Sequence, residues 1–476
     1  MGIQPVHISG LYTDFYELSM AQGYFYAGKQ EETAVFDYFF RTNPFNGGFL
    51  VFAGLADFVD QLQSFRYNEE AIGYLESLGL KTEFLNYLRH FRFNGKIFSV
   101  REGELVFPNE PIVRIEANII EAQLIETLLL NILNFQSLIA TKSFRVQLAA
   151  NGKSFTDFGL RRSHGYGGLQ ASRAAIIGGA SSTSNVQAGF DYGLPVSGTM
   201  AHSWIQSFDS ELAAFRAYTL INPKKSILLV DTYDTLKSGV PNAILIAKEM
   251  ALSDEKLVGV RLDSGDLAYL SKKTRKLLDR EGLTYVKIFV SNQLNEYVIK
   301  SLEDQNAPID GFGIGTELVT GKPDAALDGV YKLCMSAEKP SMKISENLEK
   351  NTLPGKKMLW RFFDDDGNIY RDGILLDNEE AASVEWLYHP TQTDKKTQVS
   401  NLRREQLLQP VFENGSLTHP MPLPAECHEY LTQRAKQLPE EHKRFTMPHL
   451  FKVGISGQLL QLRNDLVSSY KSRYEL

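Results

Sequence analysis

The chain has 476 residues, 43% hydrophobic and 22% charged, with a formal net charge of −7. That profile excludes a disordered or low-complexity protein, and the length is too great for one ordinary core, so two or three domains are expected. The acidic balance argues against general affinity for nucleic acid but leaves room for a local basic pocket that takes phosphates.

The first element in chain order is "TDFYELSMAQGYFYAG", a helical pattern with Thr13 or Asp14 as N-cap and Gly28 as its stop. The residues before it lack a basic segment followed by an apolar one, which speaks against a secretory signal, and the context of Gly2 is poor for acylation. "GKIFSVREGELVFPNEPIVRIEA" predicts antiparallel strands turning at Pro108, Asn109 and Glu110. "IIEAQLIETLLLNILNFQSLIATKSFRVQLAA" predicts one long helix ended by Asn151 and Gly152. Glu126, Asn131 and Asn134 interrupt its apolar run, so it is not a membrane span. Two cysteines, Cys334 and Cys427, offer neither a disulfide framework nor zinc spacing; a reducing compartment follows, and a cytoplasmic location is expected.

Beyond Gly152 the pattern changes to short apolar runs that end in small or polar residues, each followed by a helical stretch. They are "SFTDFGLRR", "AAIIGGASSTSN", "LPVSGTMAHS", "SILLVDTYDT", "LVGVRLDSGDL", "VKIFVSNQL" and "IDGFGIGT". Such alternation builds a parallel sheet, and about seven units favour an irregular barrel. From residue 342 the chain turns charged and turn-rich. Asp364, Asp365, Asp366 and Gly367 suggest calcium, but the later glutamate of a full loop is missing and a hairpin turn is the better expectation. The last hundred residues or so read as helices packing on the body.

In a parallel sheet the C-terminal strand ends open on one face, where active sites form. The polar residues falling there are Asp157, Arg161 and Arg162; Ser181 to Asn185; Thr199 and His202; Asp231 and Asp234; Arg261, Asp263, Ser264 and Asp266; Ser291 and Asn292; and Gly313, Gly315 and Thr316. Asp266 or Ser264 alone reads best as a helix cap. Arg261 ends a core strand and calls for an anionic partner, which its planar fork would hold as carboxylate or phosphate. Asp263 could bind a ribose diol or accept from its neighbours. Gly311, Gly313 and Gly315 before Thr316 would let backbone amides approach a phosphate, to which Ser291 or Asn292 could also donate. Phe158 offers an aromatic ring a stacking surface while Arg161 holds an acid substituent. His164 reads as an ordinary surface residue. His202 stands among Gly198, Thr199 and Ser203, which leave room around it; a lone strand-end histidine is more often structural than chemical.

Taken together, "GLYTDFYELSMAQGY", "FGLRRSHG", "GGASSTSN", "GTMAHSW", "GVRLDSGDL", "SNQLNE" and "GIGTELVT" resemble the nicotinate phosphoribosyltransferase family, in order and along nearly the whole chain. The resemblance implies an irregular α/β barrel with an N-terminal α/β sandwich domain and a C-terminal extension. The expected division is 1–150 for the sandwich and connecting helix, 151–341 for the barrel with the active site, and 342–476 for a C-terminal region. It also implies ATP-coupled transfer of the 5-phosphoribosyl group from phosphoribosyl pyrophosphate to nicotinate, giving nicotinate mononucleotide and pyrophosphate with Mg²⁺ as cofactor. This is the first step of NAD biosynthesis from nicotinate. In that scheme Tyr16 and Phe158 sandwich the pyridine ring, Tyr16 coming from the partner in a homodimer with shared sites. Arg161, Ser184 and Thr199 lie near nicotinate, Arg261 and Asp263 near base and ribose, Ser291, Asn292, Gly315 and Thr316 around the phosphate, and His202 is the histidine that ATP phosphorylates. Related nicotinamide enzymes carry an aspartate in the segment matching "SSTSN"; the absence of a carboxylate there favours nicotinate. Neither nucleic acid nor membrane is an expected partner.

Two rival readings remain at this level. Lys332 in "GVYKLCM" could be the Schiff-base lysine of a barrel aldolase, although snorkelling or pairing with a carboxylate is preferable. A catalytically silent nucleotide-binding sensor would keep the same site without turnover.

Overall fold

The computed structural model describes residues 8–344 and 351–474, so the context of Gly2 lies outside it. Two compact units result: one from the described residues up to Thr141 together with those from Ala326 onward, the other from Lys142 to Ala325. Among the described residues no helix is long and apolar enough to cross a membrane.

The first unit is built on an antiparallel sheet. Its strand Thr33–Phe40 pairs with Gly329–Ser336 on one side and Val113–Asn118 on the other, and the latter pairs with Lys96–Ser99. Phe36, Tyr38 and Phe40 alternate along Thr33–Phe40 into a core filled by Phe58, Leu62, Leu75, Phe84 and Leu88 from the amphipathic helices Leu55–Ser64, Glu69–Ser77 and Thr82–Arg89. Asn109 takes a positive φ of 67° at the expected turn, and Gly28 one of 71° after the helix Phe15–Tyr26. The expected long helix is two helices, Ile119–Leu124 and Glu126–Ala150, followed by Asn151 and Gly152 with positive φ.

Two expectations differ from this architecture. Lys332 lies in the antiparallel strand Gly329–Ser336, opposite Asp37, and not in a barrel; its Nζ donates to the Tyr331 carbonyl at 2.7 Å. The aldolase geometry therefore has no support. The end of the chain holds the expected helices, Pro424–Gln437 and Gly457–Tyr474, but also strands that were not expected there. Lys357–Phe363 and Ile369–Leu376 form a hairpin around the aspartate run, with Gly367 at φ 82°. A six-stranded sheet grows from it, and Gln409–Glu413 joins the first sheet beside Lys96–Ser99. At its heart Arg361 is fully buried and bonds Asp372 through Nε at 2.9 Å and Nη2 at 2.6 Å, with Glu104 on Nη1. A charge buried so deeply persists only because every face of it is paired.

The second unit is a parallel sheet of short strands. Its order is Ser182–Thr183, Ser154–Asp157, Gly311–Ile314, Lys287–Ser291, Gly259–Leu262 and Ile227–Leu229. Read from Ile227–Leu229 the strands follow one another in chain order, and the last, Gly311–Ile314, returns to pair with the first, Ser154–Asp157. The sheet is thus a curled half-barrel, open among the described residues between Ser182–Thr183 and Ile227–Leu229. The run "LPVSG" gives only an isolated bridge from Val196 to Thr183, and among the described residues nothing pairs it with Ile227–Leu229. "AAIIG" is the end of the helix Gly167–Ile177 rather than a strand. Amphipathic helices cover the sheet: Leu267–Arg280 turns Ala268, Ser271, Thr274 and Leu278 inward at three- and four-residue spacing.

Candidate active site

Every strand of the second unit runs in the same direction, so their C-terminal ends converge on one rim. Asp263, just past Gly259–Leu262, is fixed there at three points. Its N–H donates to Asp231 Oδ2 at 2.8 Å, its Oδ1 accepts from the Ser291 hydroxyl, and its Oδ2 faces His202 Nε2 at 3.7 Å. Asp231 Oδ2 also accepts from Ser264 at 2.6 Å, while Oδ1 is buried without a partner among the described residues. His202 opens the short helix His202–Gln206, which lies in the chain between Ser182–Thr183 and Ile227–Leu229, and its Nδ1 meets Thr232 Oγ1 at 3.1 Å. The side chain is 40% exposed, which leaves the ring accessible to a reactant.

A second cluster lies around Phe158. The Arg261 guanidinium sits 5.9 Å from the centre of the Phe158 ring, and its Nη2 donates to the Met200 carbonyl at 3.0 Å. Thr199 Oγ1 reaches the same carbonyl at 3.4 Å. Arg261 Nε has no partner among the described residues. Burial pulls this guanidinium below its usual value, Asp263 and Asp231 oppose the shift, and Arg161 adds to it. An arginine drawn from water with a donor to spare, beside a second cation, is a receptor for an anion. Gly313 makes room for the ring: a Cβ there would stand 2.4 Å from a Phe158 ring carbon and 3.3 Å from Ser291 Cβ.

His202, Asp263 and Ser291 thus form one group, Arg261 and Thr199 meet at the Met200 carbonyl beside Phe158, and the charge of Asp263 acts on Arg261. Arg161 is exposed on the turn Leu160–Arg162 and acts on Arg261 through its charge. Ser184 is half-buried after Ser182–Thr183, its N–H donating to the Asp157 carbonyl at 2.8 Å. Asn292 is exposed with a φ of 81°, and Gly315 and the exposed Thr316 follow Gly311–Ile314. Asp234 and Asp266 are helix caps: Asp234 accepts from Leu236 and Lys237, Asp266 from Tyr269. Tyr16 belongs to the first unit, exposed on Phe15–Tyr26. Thr232, the partner of His202, is absent from the sequence expectations because a hydroxyl following Asp231 resembles any turn residue.

The chain matches the nicotinate phosphoribosyltransferase (NAPRTase) N-terminal domain over residues 11–134 and the nicotinate phosphoribosyltransferase C-terminal domain over residues 356–463. It is 42% identical to a nicotinate phosphoribosyltransferase of Bacillus subtilis over 98% of its own length and 96% of that protein. A human relative of the same name is 33% identical, with 96% of each chain covered. The crystal structure of human nicotinic acid phosphoribosyltransferase superposes with a TM-score of 0.86 at 31% identity, covering 95% of this chain and 99% of that one. A nicotinate-nucleotide pyrophosphorylase from Pyrococcus furiosus gives a TM-score of 0.70 at 26% identity over 90% of this chain and 95% of that one.

Proposed function

The chain belongs to the nicotinate phosphoribosyltransferase family, and from that premise we propose that it transfers the 5-phosphoribosyl group of phosphoribosyl pyrophosphate to nicotinate. The products are nicotinate mononucleotide and pyrophosphate, an entry step to NAD, with ATP spent on phosphorylating His202. The observation that carries this reading is the junction of His202, Asp263 and Ser291 with Arg261 and Phe158 at the ends of one parallel sheet.

The reaction needs no general base at the ring, because the pyridine nitrogen attacks ribose C1 with its own lone pair. What must be supplied is a place for the ring, balance for its carboxylate, and stabilisation of a cationic sugar as pyrophosphate leaves. Phe158 gives the ring a stacking face, Arg261 and Arg161 attract the carboxylate, and Ser184 and Thr199 border it. Asp263 offers its charge to the ribosyl cation. Gly315 and Thr316, with Ser291 and Asn292, take the 5′-phosphate end.

With the proton of a neutral His202 on Nε2, Asp263 accepts it and the Nδ1 lone pair is left for a phosphoryl group. Thr232, now on Nδ1, gives way as that group arrives. An exposed, oriented imidazole is a competent nucleophile towards the γ-phosphoryl of ATP. The orphaned Asp231 Oδ1 and neighbouring Asp263 suit a hard divalent ion, so these carboxylates would hold Mg²⁺, whose charge would offset that of the departing pyrophosphate. Leu11, Tyr12, Phe15, Tyr16 and Met20 are exposed together on and before Phe15–Tyr26. This apolar group supports a homodimer in which Tyr16 closes a partner's pyridine site.

Pyrophosphate release measured with nicotinate or nicotinamide, each with and without ATP, tests the whole reading. Release is expected with nicotinate and should rise with ATP. Binding without release would leave a nucleotide sensor instead.

A further inference from the structure

Asp157 ends the strand Ser154–Asp157 fully buried, its carboxylate held by a backbone N–H and two hydroxyls. Its Oδ1 accepts from the Gly159 N–H at 2.8 Å; its Oδ2 accepts from the Ser172 hydroxyl at 2.8 Å and the Thr183 hydroxyl at 2.7 Å. These donors come from three separate segments: the turn after Phe158, the helix Gly167–Ile177 and the strand Ser182–Thr183. The backbone repeats the tie, since the Asp157 carbonyl accepts from Ser184 N–H at 2.8 Å. Asn185 completes the cluster by donating to Ser172 Oγ at 3.2 Å and to the Gly168 carbonyl at 3.1 Å.

We propose that Asp157 is a positioning residue which sets the spacing of the pyridine pocket by joining the Phe158–Arg161 turn to the Ser184 loop through Gly159, Ser172 and Thr183. The inference rests on the nicotinate reading and deepens it. A buried carboxylate is costly unless its oxygens are satisfied, so the three donors cannot drift apart without exposing an uncompensated charge. Burial pushes the Asp157 carboxyl up, while Thr183, Gly159 and Ser172 pull it back down. The same constraint fixes the wall that stacks on the ring relative to the loop that meets its substituent. His202, Thr232 and Asp263 are outside this cluster and hold one another by other contacts.

Thr183→Val keeps the side-chain shape but removes a donor; Thr183→Ser restores the hydroxyl. Steady-state kinetics on the full chain should show the KM for nicotinate raised tenfold or more in Thr183→Val. The KM for phosphoribosyl pyrophosphate and the extent of His202 phosphorylation should stay within twofold of wild type, and Thr183→Ser should recover the nicotinate KM. Ser172→Ala serves the same purpose where Thr183→Val does not fold. An active wild type whose variants show no change, or an equal loss in every parameter, overturns the inference alone. A wild type that releases no pyrophosphate from nicotinate overturns the functional reading and this inference with it.

Discussion

His202 Nε2 faces Asp263 Oδ2 at 3.7 Å while Asp263 Oδ1 is held by Ser291, so the carboxylate is fixed before the imidazole engages it. A short rotation of His202 would close the gap into a hydrogen bond and set the tautomer. His202→Ala is therefore expected to abolish ATP-dependent phosphorylation and leave slow, uncoupled ribosyl transfer. An acid-labile phosphoryl group retained by that variant would refute the assignment. Thr232→Val, which removes a hydrogen bond worth about 1 kcal/mol that must break before Nδ1 attacks, should quicken phosphorylation by a few fold in a rapid-quench assay.

In the proposed site Arg261 faces the anion. Arg261→Ala should weaken nicotinate binding by about 1.5–3 kcal/mol, the range of a charge-assisted pair, which is roughly ten- to hundredfold in KM. Unchanged kinetics would remove this arginine from the site.

Gly313 is expected to tolerate no side chain without moving Phe158, because an added Cβ lies 2.4 Å from the ring. Gly313→Ala should raise the KM for nicotinate while the circular dichroism spectrum stays that of the parent. A variant with native kinetics would show that the Phe158 ring is not a wall of the pocket.

Glu17 gives a prediction of a different kind, the pH dependence of stability. Burial pushes its carboxyl up to about 7, against bonds from Thr127 and Thr13 that pull it down. The folded form therefore holds a proton that the unfolded chain releases near its ordinary value of about 4.3. Stability from this group is full below that value and is lost as pH rises to about 7, beyond which the loss is constant. The midpoint of denaturant unfolding for wild type relative to Glu17→Gln should fall across this window by an amount worth up to ~3 kcal/mol, at about 1.4 kcal/mol per pH unit. A difference independent of pH would place the titration elsewhere.

Much of this architecture is legible in the residues because parallel strands are short, apolar and terminated by polar groups. "GVRLDSGDL" carries strand, turn, Asp266 cap and amphipathic helix in one stretch, and the structure follows it residue by residue. "AAIIG" shows the limit: a four-residue apolar run has no period, and its helical state is decided by the turns before it in Gly167–Ile177. The C-terminal strands are obscured for another reason. Arg403–Gln406 and Lys396–Gln398 are mostly polar edge strands, so their pairing, with Lys357–Phe363 and Trp386–Tyr388 respectively, is set by those neighbours rather than by their own pattern. In the site, charge and isolation make Arg261 and His202 visible. Thr232 and the acceptor role of Asp157 are hidden because each depends on a partner supplied by another segment of the chain.

The sheet that begins with Thr33–Phe40 is finished only when Gly329–Ser336 and then Gln409–Glu413 arrive, whereas all strands of the parallel sheet lie between Ser154 and Ile314. On a ribosome the parallel module can thus assemble while its host still lacks four strands, leaving the edges of Thr33–Phe40 and Lys96–Ser99 uncovered through hundreds of residues of synthesis. A premature stop near residue 341 would release a nascent chain with the Lys96–Ser99 edge still bare, a template for self-association rather than a shortened enzyme.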